Sequence, residues 1–391
     1  MMDQVSLNFG FGSPRKLIFG RGSIERLSNV VKDLGLSGKA LLVTGRSFAK
    51  RSGYLDKLKK ILESGEIIVT IFDKVEPNPS TETVELGAEL AKREGVEFIV
   101  AFGGGSAMDA GKVIAILSLQ GGRAEDYFYP AVVKPPVLPV IAIPTTCGTG
   151  SEVTKFAVIS KGLRKNVVTG DVIVPLASIL DPDVLSYLPR DLLAYTSMDA
   201  ISHAIESYFN KNANPLSDIY VFEALRNIIK YFKDAYDGSI DARGRLLYAS
   251  MLAGEAINLC GTTIVHGTGY YLTMRYGFHH GLANCLLITQ FIKQVSDLMP
   301  QRTLELGKRL DLNPSTPTES AELLIEALNG LKRYSNIPPS LKDAGVPEED
   351  LEKIIDEGTS YERNLRNFPR TPTRKDVEEL VKGAFKGETK Y

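Results

Sequence analysis

Up to Asp181-Pro182 the chain alternates short apolar, β-like runs with segments of helical periodicity; beyond Arg190 the strand-like pattern almost disappears. Residues 16–19, 40–44, 67–72, 98–102 and 140–143 read as strands. Residues 23–34, 54–63, 81–94 and 107–119 read as helices, with Ser23 and Ser80 as N-caps. Strand–helix alternation of this kind predicts a parallel sheet covered on both faces, and the runs at 156–159 and 178–180 are expected to complete it. The later periodic segments, 192–209, 218–232, 243–257, 282–295, 319–329, 348–357 and 375–384, all have helical spacing. The fold expected is an α/β domain with a parallel sheet over residues 1–185, followed by an all-α domain over 186–391. A length of 391 residues suits two such cores.

Two loops stand where ligands of open α/β sheets bind, at the carboxyl ends of expected strands. Gly103-Gly104-Gly105-Ser106 follows residues 98–102 and opens a helix; glycines let backbone approach a phosphate, and a helix N-terminus offers free N–H groups. Asp109 lies in the first turn, able to cap or to contact a ribose. The spacing is not G-x-G-x-x-G, so an ordinary Rossmann fingerprint is absent. Thr145-Thr146-Cys147-Gly148-Thr149-Gly150 follows residues 140–143 and is rich in hydroxyl and backbone donors. Together the two loops predict a nucleotide site. After residues 40–44 come Gly45, Arg46 and Ser47, with no acid to take a ribose 2′-hydroxyl and an Arg suited to a 2′-phosphate.

The second domain carries the metal-ligating pattern. The chain has 4 histidines; none precedes His203 and none follows His280. Asp199 and His203 are four residues apart, on one face of an expected helix, with His266, His279 and His280 downstream. One carboxylate and three imidazoles suit a catalytic divalent cation, Fe²⁺ or Zn²⁺, and raw affinity favours zinc over ferrous iron. A net charge of −1 gives no reason to expect nucleic acid or an anionic membrane as partner. No apolar run is long enough to span a bilayer. The opening residues show no secretory signal, and the 3 cysteines are widely spaced without CxxC, so a reducing cytoplasm is expected.

In its ordered motifs the chain resembles the iron-containing (group III) alcohol dehydrogenases, relatives of glycerol dehydrogenase and dehydroquinate synthase. The resemblance runs over essentially all 391 residues. It rests on Phe102-Gly-Gly-Gly-Ser106 with Asp109, Pro144-Thr-Thr-Cys-Gly-Thr-Gly-Ser-Glu-Val-Thr154, Leu180-Asp-Pro182, Met198-Asp-Ala-Ile-Ser-His-Ala-Ile-Glu206 and His280-Gly-Leu-Ala-Asn284. It implies a metal held by Asp199, His203, His266 and His280, with His279 a neighbour lacking a metal role, and it favours iron. It implies that the domain over residues 1–185 binds a dinucleotide, with a pyrophosphate site at Gly104, Gly105 and Ser106, further cofactor contacts at Asn78, Thr145, Thr146 and Thr149, and a lysine near the cofactor, Lys165. The activity implied is hydride transfer between a nicotinamide cofactor and a small alcohol or aldehyde, by a homo-oligomer, a dimer.

Two departures from the family pattern carry information. Many members have an aspartate where this chain has Gly45; its loss, with Arg46 next to it, tilts the choice from NAD to NADP. Many also have a second histidine four residues after the third ligand, where this chain has Tyr270. Either Tyr270 replaces it as a hydrogen-bonding group in catalysis, or water and ribose hydroxyls suffice. A glycerol dehydrogenase-like polyol oxidoreductase and a dehydroquinate synthase-like lyase are the alternatives within the fold. A nucleotide-binding regulator with a dead metal site is the alternative outside enzymology, and the intact ligand set speaks against it.

Overall fold

The computed structural model describes residues 5–387, so the opening residues 1–4, where no secretory signal was expected, lie outside it. Two compact units emerge, Gly12–Leu188 and a second that begins at Pro189 and takes in residues 5–11. The amide of Ser6 donates to the carbonyl of Ala213 at 3.2 Å, and the Phe11 ring lies 6.2 Å from that of Tyr220. These contacts tie residues 5–11 to the helical unit, although the sequence had placed them with the sheet.

The first unit is built on strands β1 (Lys16–Phe19), β2 (Lys39–Gly45), β3 (Ile68–Val75), β4 (Phe98–Gly103), β5 (Val140–Pro144), β6 (Phe156–Lys161), β7 (Arg164–Thr169) and β8 (Ala177–Leu180). Six form one all-parallel sheet in the order β1-β8-β5-β4-β2-β3. Strands β4 and β5 are buried throughout, which is why they read as unbroken apolar runs. Helices α1 (Leu27–Asp33), α2 (Phe48–Arg51), α3 (Tyr54–Glu63), α4 (Thr81–Glu94) and α5 (Gly105–Gln120) follow the early strands. Successive β2 side chains serve opposite layers: Leu41 and Val43 pack with α4 and α5, Ala40 and Leu42 with α1 and α3. From β2 the chain steps outward to β3, then returns to place β4 on the other side of β2. Ligands bind at such a reversal.

Three local expectations for this unit need correction. Ser23 does not cap a long helix: residues 23–26 form a 3₁₀ turn entered through Gly22 at φ 72°, and the Ser23 hydroxyl donates to Leu180. Residues 156–159 do not join the parallel sheet but pair antiparallel with β7 as a separate two-stranded ribbon. Asp109 is not left for a ribose: its two oxygens accept from Ser151 Oγ at 2.6 Å and from the Val158 amide at 2.9 Å, fastening α5 to the loop after β5 and to β6. Ser80 does cap α4, accepting from the Thr83 amide.

Beneath this loop lie two further buried charges. Lys112 donates to the carbonyls of Thr154 and Phe156, both at 2.8 Å, and burial pushes its pKa down to about 8. Glu152 is 1% exposed, one of its oxygens has no hydrogen-bond partner, and burial pushes its pKa up to about 7. A carboxyl whose folded pKa is raised lends stability that is complete below its unfolded value and is lost as pH rises through the folded one. Glu152→Gln is therefore expected to melt near the parent at pH 5 and progressively above it toward pH 8. A melting-temperature difference that stays constant over that range would contradict a buried carboxylate here.

The second unit is helical: α6 (Arg190–Tyr208), α7 (Pro215–Tyr236), α8 (Ile240–Cys260), α9 (Ile264–Tyr276), α10 (His280–Leu298), α11 (Pro300–Arg309), α12 (Pro317–Tyr334), α13 (Leu351–Thr359), α14 (Glu362–Leu365) and α15 (Arg374–Lys386). Helix α6 is buried from Thr196 to Tyr208, and the hydroxyls of Ser197 and Ser202 satisfy themselves on carbonyls one turn back. Helix α10 packs against both α6 and α9. Helix α9 is absent from the sequence reading because Gly267 and Gly269 depress its propensity. Packing demands the glycine at 269, where a Cβ would lie 2.0 Å from Asn284 Oδ1, and makes a Cβ at 267 tight, 3.3 Å from the side chains of Asn364 and Tyr361. No helix among the described residues is long and apolar enough to cross a membrane.

Candidate metal centre and nucleotide loops

Asp199 from α6, His266 from α9 and His280 from α10 each offer a ligand atom, all within 4.8 Å of one another. The close approach of α10 to α6 depends on Gly281, where a Cβ would sit 1.8 Å from the Tyr195 carbonyl oxygen and 3.0 Å from Asp199 Cβ. His266 is 2% exposed; its Nδ1 bonds Glu206 Oε2, while its Nε2, 3.7 Å from Asp199 Oδ1, has no hydrogen-bond partner. In a neutral ring with Nδ1 donating to Glu206, Nε2 turns its lone pair toward a carboxylate oxygen. Two acceptors facing each other in a dry interior are unfavourable unless a cation lies between them.

His280 is arranged alike. Thr273 Oγ1 gives its proton to the Gly269 carbonyl at 2.8 Å and so accepts from His280 Nδ1 at 3.2 Å, turning the Nε2 lone pair inward. The amide of Asn284 donates to Asp199 Oδ1 at 2.9 Å and to His280 Nε2 at 3.2 Å; Nε2 has a single lone pair, so a cation bound there would take the place of the second bond. His203, the fourth expected ligand, stands outside the 4.8 Å set; its ring stacks on His266 with centroids 4.5 Å apart. His279 caps α10, accepting from the Gly281 amide at 3.2 Å, and its ring stacks on Tyr195. The donor set, one carboxylate and inward imidazole nitrogens, fits a divalent transition-metal ion.

Tyr270 stacks on His280 with centroids 5.2 Å apart and meets Tyr361 edge-on at 5.3 Å. Burial pushes its pKa well above the ordinary phenol value, so it is a neutral phenol at physiological pH. The structure packs the ring against His280.

In the α/β unit the two loops meet. A Cβ on Gly104 would lie 3.3 Å from Thr146 Cγ2, and one on Gly105 would lie 2.7 Å from Thr149 Cγ2. Helix α5 starts with no side-chain cap and no acid in its first turn, so none of its own side chains offsets its positive end. Ser106 Oγ accepts from the amide of Asn78, whose φ is 55°, joining the loop after β3 to the start of α5. Thr145 is buried, its amide donating to Gly103. Lys165 is buried on β7, and its charge acts on Asp109. A Cβ on Gly45 would meet only the Val75 carbonyl, at 3.7 Å, and Ser47 is exposed. Arg46 is already engaged, with Glu76 at 3.3 Å and the Lys74 carbonyl at 3.1 Å. Burial raises the Glu76 pKa, but hydrogen bonds from Ser80 and Thr83 outweigh it and keep this group an anion.

Sequence reasoning missed Glu206 and Asn284 as partners of the candidate metal-binding residues, although both stand in the quoted motifs. Glu206 follows His203 by three residues and shares its helix face with Asp199. That stripe was the available signal.

Residues 14–182 match the family model described as iron-containing alcohol dehydrogenase, and residues 193–385 match that of the Fe-containing alcohol dehydrogenase family, C-terminal. Alcohol dehydrogenase 4 of Schizosaccharomyces pombe is 34% identical over 379 residues, covering 96% of this chain and 89% of the relative. The NAD-dependent methanol dehydrogenase of Bacillus methanolicus is 32% identical over 381 residues, covering 96% of this chain and 99% of the relative. Among solved structures, a 1,3-propanediol oxidoreductase aligns with a TM-score of 0.91 at 32% identity, covering 97% of this chain and 100% of that one. The chain therefore belongs to the iron-containing alcohol dehydrogenase family.

Proposed function

We propose that the protein is a metal-dependent alcohol dehydrogenase that transfers a hydride between NADP(H) and a small primary alcohol or aldehyde. The observation that carries this reading is the partnerless Nε2 of His266, held in a buried site with Asp199 and His280. These residues, with His203 beside them, would hold ferrous iron; zinc suits the same donors. When bound, the metal supplies Lewis acidity to a substrate oxygen and the nicotinamide supplies the hydride. The chain's own part is to keep both imidazoles in the Nδ1–H form, to exclude water with buried aromatic rings, and to receive a pyrophosphate at Gly104–Ser106. A turnover screen of small aldehydes with NADPH and NADH, with and without ferrous iron, tests it. Metal-independent turnover, or none with any aldehyde, would count against it.

The preference for NADP(H) rests on Gly45. An acid there would repel a 2′-phosphate, and glycine leaves open space. Arg46 helps less than its charge suggests, because Glu76 already partners it. The Bacillus relative is NAD-dependent by name, so the choice turns on this loop rather than on kinship. Since a side chain at position 45 meets no clash, Gly45→Asp is expected to stay folded and to move the kcat/KM ratio toward NADH by roughly tenfold or more. A parent that favours NADH, or an unmoved ratio, refutes the assignment.

A further inference from the structure

Helix α9 begins without a cap of its own: Thr263 at its N-cap makes no side-chain capping bond. The anion that serves this end comes from α6. Glu206, fully buried, accepts at Oε1 from the Thr263 amide at 2.8 Å, the Thr263 hydroxyl at 2.5 Å, the Val265 amide at 3.1 Å and the His266 amide at 3.4 Å. Its other oxygen takes Nδ1 of the His266 ring. One carboxylate thus fixes both the start of α9 and the tautomer of the first side chain that α9 sends into the metal centre.

We infer that Glu206 is a positioning residue for the metal centre, holding His266 with its proton on Nδ1 so that Nε2 is offered to the cation. The inference rests on the metal reading above and concerns metal affinity rather than chemistry on substrate. A carboxylate can only accept, so it admits one tautomer; a carboxamide can turn a donor toward Nδ1. Outer partners of this kind commonly govern metal affinity by about 10–100-fold. A merely structural cap would make a different forecast: loss of the carboxylate would lower the melting temperature of the metal-free protein and leave the affinity of the folded protein alone.

The discriminating variant is Glu206→Gln. It keeps the size and an oxygen for the α9 amides, but offers an NH₂ group to Nδ1 and moves the ring proton to Nε2. Metal-free full-length parent and variant are titrated with Zn²⁺ and, anaerobically, with Fe²⁺ against a chelator of known affinity. Imidazole ¹⁵N shifts are recorded on the metal-free parent, with His266 assigned by replacing the histidines singly. The expected result is a protonated Nδ1 in parent His266, and a variant that melts near the parent but binds both ions about 10–100-fold more weakly. Equal affinity in parent and variant overturns the inference while leaving the metal reading intact. A parent His266 protonated on Nε2 overturns it too, even if the variant does not fold. A parent that binds neither ion overturns the metal reading and this inference together.

Discussion

His266→Ala and His280→Ala are each expected to abolish turnover, by roughly a thousandfold or more, while cofactor affinity stays near that of the parent. Lewis acidity at a substrate oxygen is worth several kcal/mol, and each 1.4 kcal/mol is about tenfold in rate. Cofactor binding is spared because the nucleotide loops belong to the unit Gly12–Leu188, whereas both histidines belong to the helical unit. The two variants differ in what else they disturb. Removing His266 strips a donor from the fully buried Glu206 and costs stability; His280 is only half-buried, so its variant is the cleaner probe. Turnover by either variant and cofactor affinity by fluorescence titration decide the matter. Near-parent rates for both in chelated buffer would end the metal mechanism.

Gly104→Val is expected to fold yet lose cofactor affinity by about a hundredfold or more. The position tolerates a Cβ: its nearest neighbour is a threonine methyl at 3.3 Å, which can yield by a few tenths of an ångström, and φ is −72°. The branched methyls, however, fill the approach to the uncapped start of α5. Two charge-assisted hydrogen bonds to a pyrophosphate, at roughly 1.5–3 kcal/mol each, would be lost. Gly105→Val is a poorer test, because its Cβ would already collide with Thr149 at 2.7 Å and force the two loops apart. Unchanged affinity in folded Gly104→Val would mean that the pyrophosphate lies elsewhere.

Much of the fold was legible without coordinates, and the reason is local. Strands buried on both faces are apolar nearly throughout, so β4, β5 and the Ala40–Val43 stretch of β2 announce themselves as unbroken runs. Ser80 caps α4 three residues before the amide it receives. Asp199 and His203 share a helix face by spacing alone. Each of these signals is carried by residues within a turn or two of one another.

What tertiary structure decided is what depends on distant partners. Asp109 looked like a ribose contact when its helix was expected to begin at residue 107, but α5 begins at Gly105, and Ser151 and Val158, far along the chain, each engage one of its oxygens. Lys165 lies on β7, a strand the sequence reading did not contain, formed by pairing with β6. Helix α9 runs against its own propensity because its glycines let Asn284, Tyr361 and Asn364 pack close. Nδ1 of His266 is met by a glutamate sixty residues earlier, separated in sequence and joined in space by hydrogen bonds to the start of α9. The sequence by itself determined the alternation of elements, the candidate ligand types and the family; only the packed structure determined which polar atoms are spent on holding the fold and which, like His266 Nε2, are left without a hydrogen-bond partner. Periodicity and capping report on neighbours along the chain, whereas the satisfaction of a buried donor or acceptor depends on whatever folding brings against it.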